Sequence, residues 1–186
     1  SDQFVKMRKY AGKYTNGLDE SDDTNTDWQD LLYKNSIVTN HDVGLAGGSA
    51  TGAYNVGVSI YRDESLLPQQ NYNRYSMRFS MDQEIGKYVK VGLSTNTSYA
   101  VTNGASLGLY STLSSTPISN PYNDDGTLKR VVSSSMDDTY VITRDVINGL
   151  GDKWKDQTKA FGTYNSFYGE VKIPGVEGLK YRLNVG

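Results

Sequence analysis

From about residue 37 the chain alternates between apolar and polar side chains with a period of two, the signature of strands with two different faces. In residues 53–62, Tyr54, Val56, Val58 and Ile60 fall on one face, and Asn55, Gly57, Ser59 and Tyr61 on the other. Residues 74–82 repeat this, with Tyr75, Met77, Phe79 and Met81 against Arg74, Ser76, Arg78, Ser80 and Asp82. Val89, Val91, Leu93 and Tyr99 oppose Lys90, Gly92, Ser94, Asn96 and Ser98, with Thr95 and Thr97 softening the apolar side. Two more runs follow near the C-terminus. Phe167, Gly169, Val171 and Ile173 oppose Ser166, Tyr168, Glu170 and Lys172, and Leu179, Tyr181, Leu183 and Val185 oppose Lys180, Arg182 and Asn184. A weaker strand covers residues 37–47.

The connections alternate in length. Tight turns are expected at 48–51, 83–87 and 174–178, and longer segments at 63–72 and 102–160. An antiparallel meander sends alternate connections to opposite ends of its sheet, so one end carries turns and the other carries loops. That asymmetry is characteristic of outer-membrane β-barrels, whereas a loop as long as 102–160 is unusual in a compact soluble domain. The resulting layout is a loop segment with short helices at 1–35, four strands at 36–101, a long external loop at 102–160 and two strands at 161–186. Ahead of the strands, Phe4, Met7, Ala11 and Tyr14 have helical spacing, which predicts a short helix over 2–14 with Asp2 as N-cap and Gly17 as stop. Asp27 is placed to cap one further helical turn.

Composition sharpens this picture. The 186 residues include 15 Tyr but 4 Phe, which suits a boundary between water and an apolar phase better than a dry core. With 19 basic and 21 acidic residues the net charge is -2, too balanced to attract nucleic acid. The absence of Cys removes disulfides, thiolate metal sites and Cys nucleophiles. No apolar run reaches the roughly 18 residues of a spanning helix, but barrel strands need only about 10. Residues 89–99, rising roughly 3.3 Å each at a tilt of about 45°, cover on the order of 23 Å, close to the ~25 Å apolar band of such barrels. Residues 1–4 show no leader peptide, so an exported protein is expected to have lost its start.

Alternation alone fits a soluble sheet packed on a core equally well. The opposite face favours the membrane reading, because it collects Arg74, Arg78, Lys90, Glu170, Lys180 and Arg182, and nothing in the chain supplies a layer for the apolar side. The expected lipid-facing wall is Tyr54, Val56, Val58, Ile60, Tyr75, Met77, Phe79, Leu93, Tyr99, Leu179, Tyr181 and Leu183. About six strands cannot close a large barrel, and open edges are not tolerated in a bilayer, so the chain is expected to be part of something larger.

Several short stretches then acquire meaning together. Thr26-Asp27-Trp28-Gln29-Asp30, Asn40-His41-Asp42-Val43-Gly44-Leu45-Ala46-Gly47-Gly48, Arg74-Tyr75-Ser76-Met77-Arg78 followed by Asp82-Gln83 and Lys90-Val91-Gly92, Tyr122-Asn123-Asp124-Asp125-Gly126-Thr127, and Gly178-Leu179-Lys180-Tyr181-Arg182 come in one order along nearly the whole chain. In that order they resemble motifs of the SusC/RagA family of TonB-linked outer-membrane proteins. The second stretch departs from the family pattern at Asp42, Gly44 and Ala46. The resemblance implies an all-β fold, an antiparallel up-and-down transmembrane barrel of about 22 strands, of which this chain supplies about six just after the plug domain. It also implies import of oligosaccharides, glycans or peptides across the outer membrane of a Gram-negative bacterium. The implied partners are a SusD-like surface lipoprotein, and TonB acting through a plug and TonB box that these residues lack.

Enzymatic chemistry finds little support, and no cofactor or metal is expected. Residues 47–52 are glycine-rich, but Ala53 stands where a phosphate loop needs Lys, and a strand follows in place of a helix. His41 is the single histidine, on a strand. Asp22-Asp23 and Asp124-Asp125-Gly126 lack the ligand spacing of an EF-hand. Asp82 and Glu170 are too isolated for a carboxylate pair, and Asn96-Thr97-Ser98 lies in mid-strand, where a glycan would not fit. Binding is the remaining chemistry. The aromatic and amide side chains Tyr110, Asn120, Tyr122, Asn123, Asp124, Tyr140 and Trp154 are the expected ligand or partner contacts in the long loop. A passive porin and a surface-displayed β-rich binding module are the alternatives, separable by the presence of a plug and by extraction behaviour.

Overall fold

The computed structural model describes residues 2–12, 16–104, 109–135, 138–150, 153 and 155–186. Among these, four α-helices form, α1 (Asp2–Tyr10), α2 (Trp28–Leu32), α3 (Tyr110–Leu113) and α4 (Arg144–Leu150). Eight strands accompany them, β1 (Val38–Gly48), β2 (Gly52–Glu64), β3 (Asn71–Ile85), β4 (Val89–Asn103), β5 (Val131–Ser133), β6 (Asp138–Tyr140), β7 (Gln157–Lys172) and β8 (Lys180–Val185). None of the described helices is long and apolar enough to cross a membrane. The chain divides into two compact units. A sheet unit comprises Ile37–Glu64, Asn71–Asn103 and Gln157–Gly186, and a loop unit comprises Ser1–Ser36, Ser65–Gln70 and Gly104–Asp156.

The sheet unit is one six-stranded antiparallel sheet of order β1-β2-β3-β4-β7-β8, the all-β, up-and-down arrangement expected from the alternation. Its strands outrun the apolar runs that announced them: β3 and β4 have 15 residues each and β7 has 16. Polar ends such as Asn71, Asn103 and Gln157 hide the continuation from a hydropathy pattern, yet they pair in unbroken register. The turn expected at 83–87 is displaced for the same reason. Gln83 and Glu84 remain in the ladder opposite Val91 and Lys90, leaving residues 86–88 to turn. The hairpin between β1 and β2 closes through the Ser49 N–H donating to the Gly52 carbonyl at 2.7 Å.

The loop unit has its own core. Among the described residues the buried hydrophobic side chains are Trp28, Leu32, Ile118, Val132, Val141 and Ile147, all of them in this unit. The segment read from sequence as one long loop therefore contains α3, α4 and the two-stranded β5-β6 sheet. The Thr-Asp-Trp-Gln-Asp stretch ties it together. Thr26 donates its hydroxyl to the Ser119 carbonyl at 2.6 Å, and its N–H bonds Pro117 at 2.7 Å. Asp27, in extended conformation, caps α2 by accepting from the N–H groups of Gln29 and Asp30. Trp28 packs on Val132 and Val141 while its indole N–H donates to the Thr116 carbonyl at 2.9 Å.

Helix α1 is shorter than its apolar spacing suggests. It ends at Tyr10 because Gly12 takes the left-handed conformation, φ +69°, and closes the last turn onto the Lys9 carbonyl. Gly12, not Gly17, is the stop, and Tyr14 lies outside the described residues. Replacing Trp28 with Ala removes the ring from this small core and leaves the Thr116 carbonyl with the Ser119 N–H as its remaining donor. A cost of about 3–5 kcal/mol is expected, read as a sharp rise in protease cleavage within residues 104–156 while hydrogen exchange in β2, β3 and β4 stays unchanged.

Candidate functional site

Cross-strand partners in an antiparallel sheet share a face, so the register assigns every strand residue to one of two surfaces. Tyr54 pairs with Met81, Val56 with Phe79, Val58 with Met77 and Ile60 with Tyr75. From there the same surface continues through Tyr99, Thr97, Thr95 and Leu93 on β4 to Phe161, Thr163, Asn165 and Phe167 on β7. Tyr181, Leu183 and Val185 complete it on β8. Between the row Ile60–Tyr75–Tyr99–Phe161 and the row Ile85–Val89–Val171–Tyr181, this surface carries no Asp, Glu, Lys or Arg. Much of it is exposed: Val43 keeps 72% of its accessible surface, Met77 47% and Leu183 56%, while Val56, Ile60, Phe79 and Leu93 are half-buried. The mid-height interruption is internally bonded, with the Thr95 hydroxyl donating to Asn165 at 2.5 Å and the Thr97 and Thr163 hydroxyls bonded to each other at 3.1 Å. Leu179 lies one residue before β8, where its carbonyl accepts from the Ile173 N–H at 3.0 Å.

Arg74, Arg78, Lys90, Glu170, Lys180 and Arg182 all belong to the opposite surface. There Glu84, Lys90, Glu170 and Arg182 form one cross-strand row of alternating charge, a favourable arrangement on neighbouring strands. Lys180 adds an ion pair to Glu170 at 3.3 Å. In the adjacent row Gly92 leaves room that a side chain would fill. A Cβ there would collide with the Tyr168 ring, which lies across it to donate its hydroxyl to Asp82. The Arg182 guanidinium stacks on the same ring at 3.8 Å. The Asp82-Gln83 and Lys90-Val91-Gly92 stretches are thus two sides of one structural feature.

This face also carries aromatic rings that the alternation does not single out: Tyr61 counts as a polar position, Tyr72 falls in the connection expected at 63–72, and Tyr164 precedes the run that starts at Ser166. Tyr61 meets Tyr72 edge-on at 6.0 Å and receives the Arg74 guanidinium over its ring at 5.6 Å. Tyr164, opposite Asn96, is 80% exposed. Rings flanked by guanidinium and amide groups suit flat, hydroxylated or peptidic ligands. Their signal was available, since each ring sits at an even step of the alternation from a charged residue.

In the loop unit, two carboxylates organise the chain. Burial pushes the Glu20 carboxyl up, but the N–H groups of Gly17 and Ser135, the Thr116 hydroxyl and the Arg8 guanidinium at 3.2 Å together hold it below the usual glutamate value. Asp19 is likewise raised by burial and lowered further by the Lys129 ammonium at 2.6 Å and the Ser133 N–H at 2.7 Å. A groove of about 910 Å³ opens beside this hub's partner strands, with Leu31, Val141, Val146 and Leu150 as apolar lining and Tyr122, Tyr140, Arg130 and Asp145 as polar groups.

The expected loop contacts divide accordingly. Tyr122 and Tyr140 line the groove together, joined by Arg130 and Arg144, which the sequence reading did not single out. Tyr110, at the start of α3, is strongly exposed and not among the groove's lining residues. Asn120 accepts the Tyr122 N–H at 3.0 Å. Asn123 closes a turn onto Thr127, and Asp125 accepts from both the N–H and the hydroxyl of Thr127, which lowers its pKa. Asp124 is exposed at the same turn, and Trp154 lies outside the described residues.

A two-faced antiparallel sheet with an exposed, uncharged apolar band is the wall of a transmembrane β-barrel. The comparisons with known proteins specify which kind. No family model matches the chain. TonB-dependent receptor P3 of Formosa agariphila is 24% identical across the whole chain, which spans 18% of that protein. TonB-dependent receptor SusC of Bacteroides thetaiotaomicron is 31% identical over 52 residues, 28% of this chain and 5% of SusC. Among solved structures, the RagAB peptide transporter superposes with a TM-score of 0.67 at 18% identity, covering 99% of this chain and 22% of that one. The RagAB peptide importer in its closed-closed state gives 0.66 at 17% identity, covering 97% and 21%. The chain is thus similar to SusC/RagA-type TonB-dependent receptors, it has the fold of part of such a barrel, and the relatives are named as receptors and transporters rather than enzymes.

The carboxylate hub makes the loop unit acid-sensitive. Both groups have folded pKa values below their unfolded values of about 3.9 and 4.3. Their stabilisation is therefore complete above those unfolded values and is lost as pH falls through the lower folded ones. Hydrogen exchange in residues 17–20 and 131–135 should stay slow down to about pH 5 and quicken progressively below about pH 4. In Glu20→Gln exchange should already be faster at pH 7, with a weaker acid response.

Proposed function

We propose that this chain is a stretch of barrel wall from a TonB-dependent outer-membrane importer of a Gram-negative bacterium, which takes up oligosaccharides, glycans or peptides together with a SusD-like lipoprotein. The observation that carries the proposal is the neutral, exposed apolar band. It is eleven residues tall from Tyr99 to Val89, on the order of 23 Å at barrel tilt. The surface that includes Tyr54, Val56, Val58, Ile60, Tyr75, Met77, Phe79, Leu93, Tyr99, Tyr181 and Leu183, with Leu179 beside it, faces lipid. The surface that includes Arg74, Arg78, Lys90, Glu170, Lys180 and Arg182 faces the lumen and the plug. Strands β1 and β8 each have one neighbour among the described residues, and further strands pair there to close the barrel.

On this reading the tight turns are periplasmic and the long connections external, so residues 1–35 and, within the segment expected at 102–160, residues 104–156 between β4 and β7 contribute external loops. Tyr122 and Tyr140 in the groove, with Tyr110, Asn120, Asn123, Asp124 and Trp154 elsewhere in the same loop, contact substrate or the lipoprotein. Tyr61, Tyr72 and Tyr164 extend the binding surface down the lumen wall. The relatives' names support TonB dependence, and RagAB's description as a peptide transporter supports peptides alongside glycans. Uptake distinguishes an energised importer from a passive porin. Cells making the full-length protein should accumulate labelled oligosaccharides or peptides, and accumulation should stop when TonB is deleted. Undiminished accumulation without TonB would establish the porin reading in its place.

A further inference from the structure

The register that separates two faces also layers the apolar face from end to end. Among the described strand residues, its charged side chains are Arg62, Glu64 and Lys159, and all three lie at the end where the long connections leave the sheet. Arg62, Asn73, Val101 and Lys159 form one continuous cross-strand row. It lies two residues, about 7 Å along the strand, beyond the row Ile60–Tyr75–Tyr99–Phe161. One step further out comes Glu64–Asn71–Asn103–Gln157, three amides beside the Glu64 carboxylate, in which Asn71 Oδ1 accepts from Asn73 and Asn103, and Asn103 Oδ1 accepts from Gln157. At the opposite end the face finishes with Ile85, Val89, Val171 and Tyr181 and has no cation.

The order from mid-sheet outward is therefore apolar, aromatic, cationic, amide. Arg62 and Lys159 are both exposed, neither makes an ion pair among the described residues, and they stand three strands apart, roughly 14 Å. With the one carboxylate of this rim, Glu64, against two cations, the patch keeps a net positive charge, and cations just beyond an aromatic girdle are positioned at the level of lipid headgroups. The amides beyond it are donors and acceptors of the kind that engage sugar hydroxyls. An amphiphile complementary to all four layers has acyl chains, then phosphate, then sugar.

Resting on the barrel-wall reading above, we propose that this end of the apolar face binds a phosphorylated glycolipid of the outer leaflet, with Arg62 and Lys159 holding its phosphates. Charge complementarity and the order of the layers select that occupant over a neutral phospholipid. The binding also explains why the cations occupy one end alone, since the two leaflets then present different headgroups.

The test uses the full-length protein in phosphatidylcholine vesicles, with a fluorophore on Val101→Cys between the two cations, titrated with diphosphoryl lipid A or its dephosphorylated form. The wild-type protein should respond to the phosphorylated lipid and barely to the dephosphorylated one. Arg62→Gln with Lys159→Gln should weaken the response about 30-fold, and each single change about 5-fold. Lys172→Gln, on the opposite face, should leave it unchanged. An undiminished response in the double variant, or an equal response to both lipids, overturns the proposal while leaving the barrel wall intact. Failure of the wild-type protein to insert into plain phosphatidylcholine vesicles overturns both readings together.

Discussion

An antiparallel sheet points half its side chains to each side, and an apolar side must be removed from water by something. In this molecule the buried apolar residues are in the loop unit, while the sheet's apolar face stays open from Val43 to Leu183. A soluble protein with such a surface would exceed the few hundred Å² of contiguous apolar patch that monomers ordinarily expose. Lipid removes that constraint without a second protein layer. On the proposed barrel-wall reading it also accounts for the other features of the sheet: full cross-strand pairing, hydroxyls bonded to one another where Thr and Asn interrupt the band, and charge confined to the far face or to one rim.

The far face solves the complementary problem of standing in water without splaying its charges. Alternating carboxylates and cations run across four strands, and the Asp82–Tyr168–Arg182 stack ties β3, β7 and β8 together over the gap left by Gly92. The loop unit uses a third strategy, a small dry core around Trp28 supported by the buried Glu20 and half-buried Asp19 carboxylates and their hydrogen-bond donors. Each region is stabilised by its own chemistry, which is how one chain can have low hydropathy and still present an open apolar face.

The existence and order of the six strands of the large sheet, and which residues share a face, were legible in the sequence, because period-two alternation is a direct imprint of a two-sided environment. Strand ends were not: Asn71, Asn103 and Gln157 look like loop residues and yet continue the ladder, since pairing depends on backbone register rather than on polarity. The internal structure of residues 104–156 was hidden for a different reason. Its helices and strands have between 3 and 7 residues, too few for a periodicity to show, and they hold together through contacts with Trp28 and Glu20 some hundred positions away. Of the candidate contacts, Tyr122 and Tyr140 meet in one groove, a convergence that composition could not reveal, and the charged-face rings were hidden because Tyr61 reads as a polar position while Tyr72 and Tyr164 lie beyond the apolar runs.

The account depends on which phase touches each face of β3. Spin labels placed one at a time on residues 76–81 of the full-length protein in lipid vesicles measure this directly, through relaxation by oxygen, which concentrates in hydrocarbon, and by a water-soluble nickel chelate. Labels at Met77, Phe79 and Met81 should be relaxed by oxygen and shielded from the chelate, with the reverse at Ser76, Arg78 and Ser80. Equal chelate access along the whole run, or an inverted alternation, would contradict a lipid-facing wall.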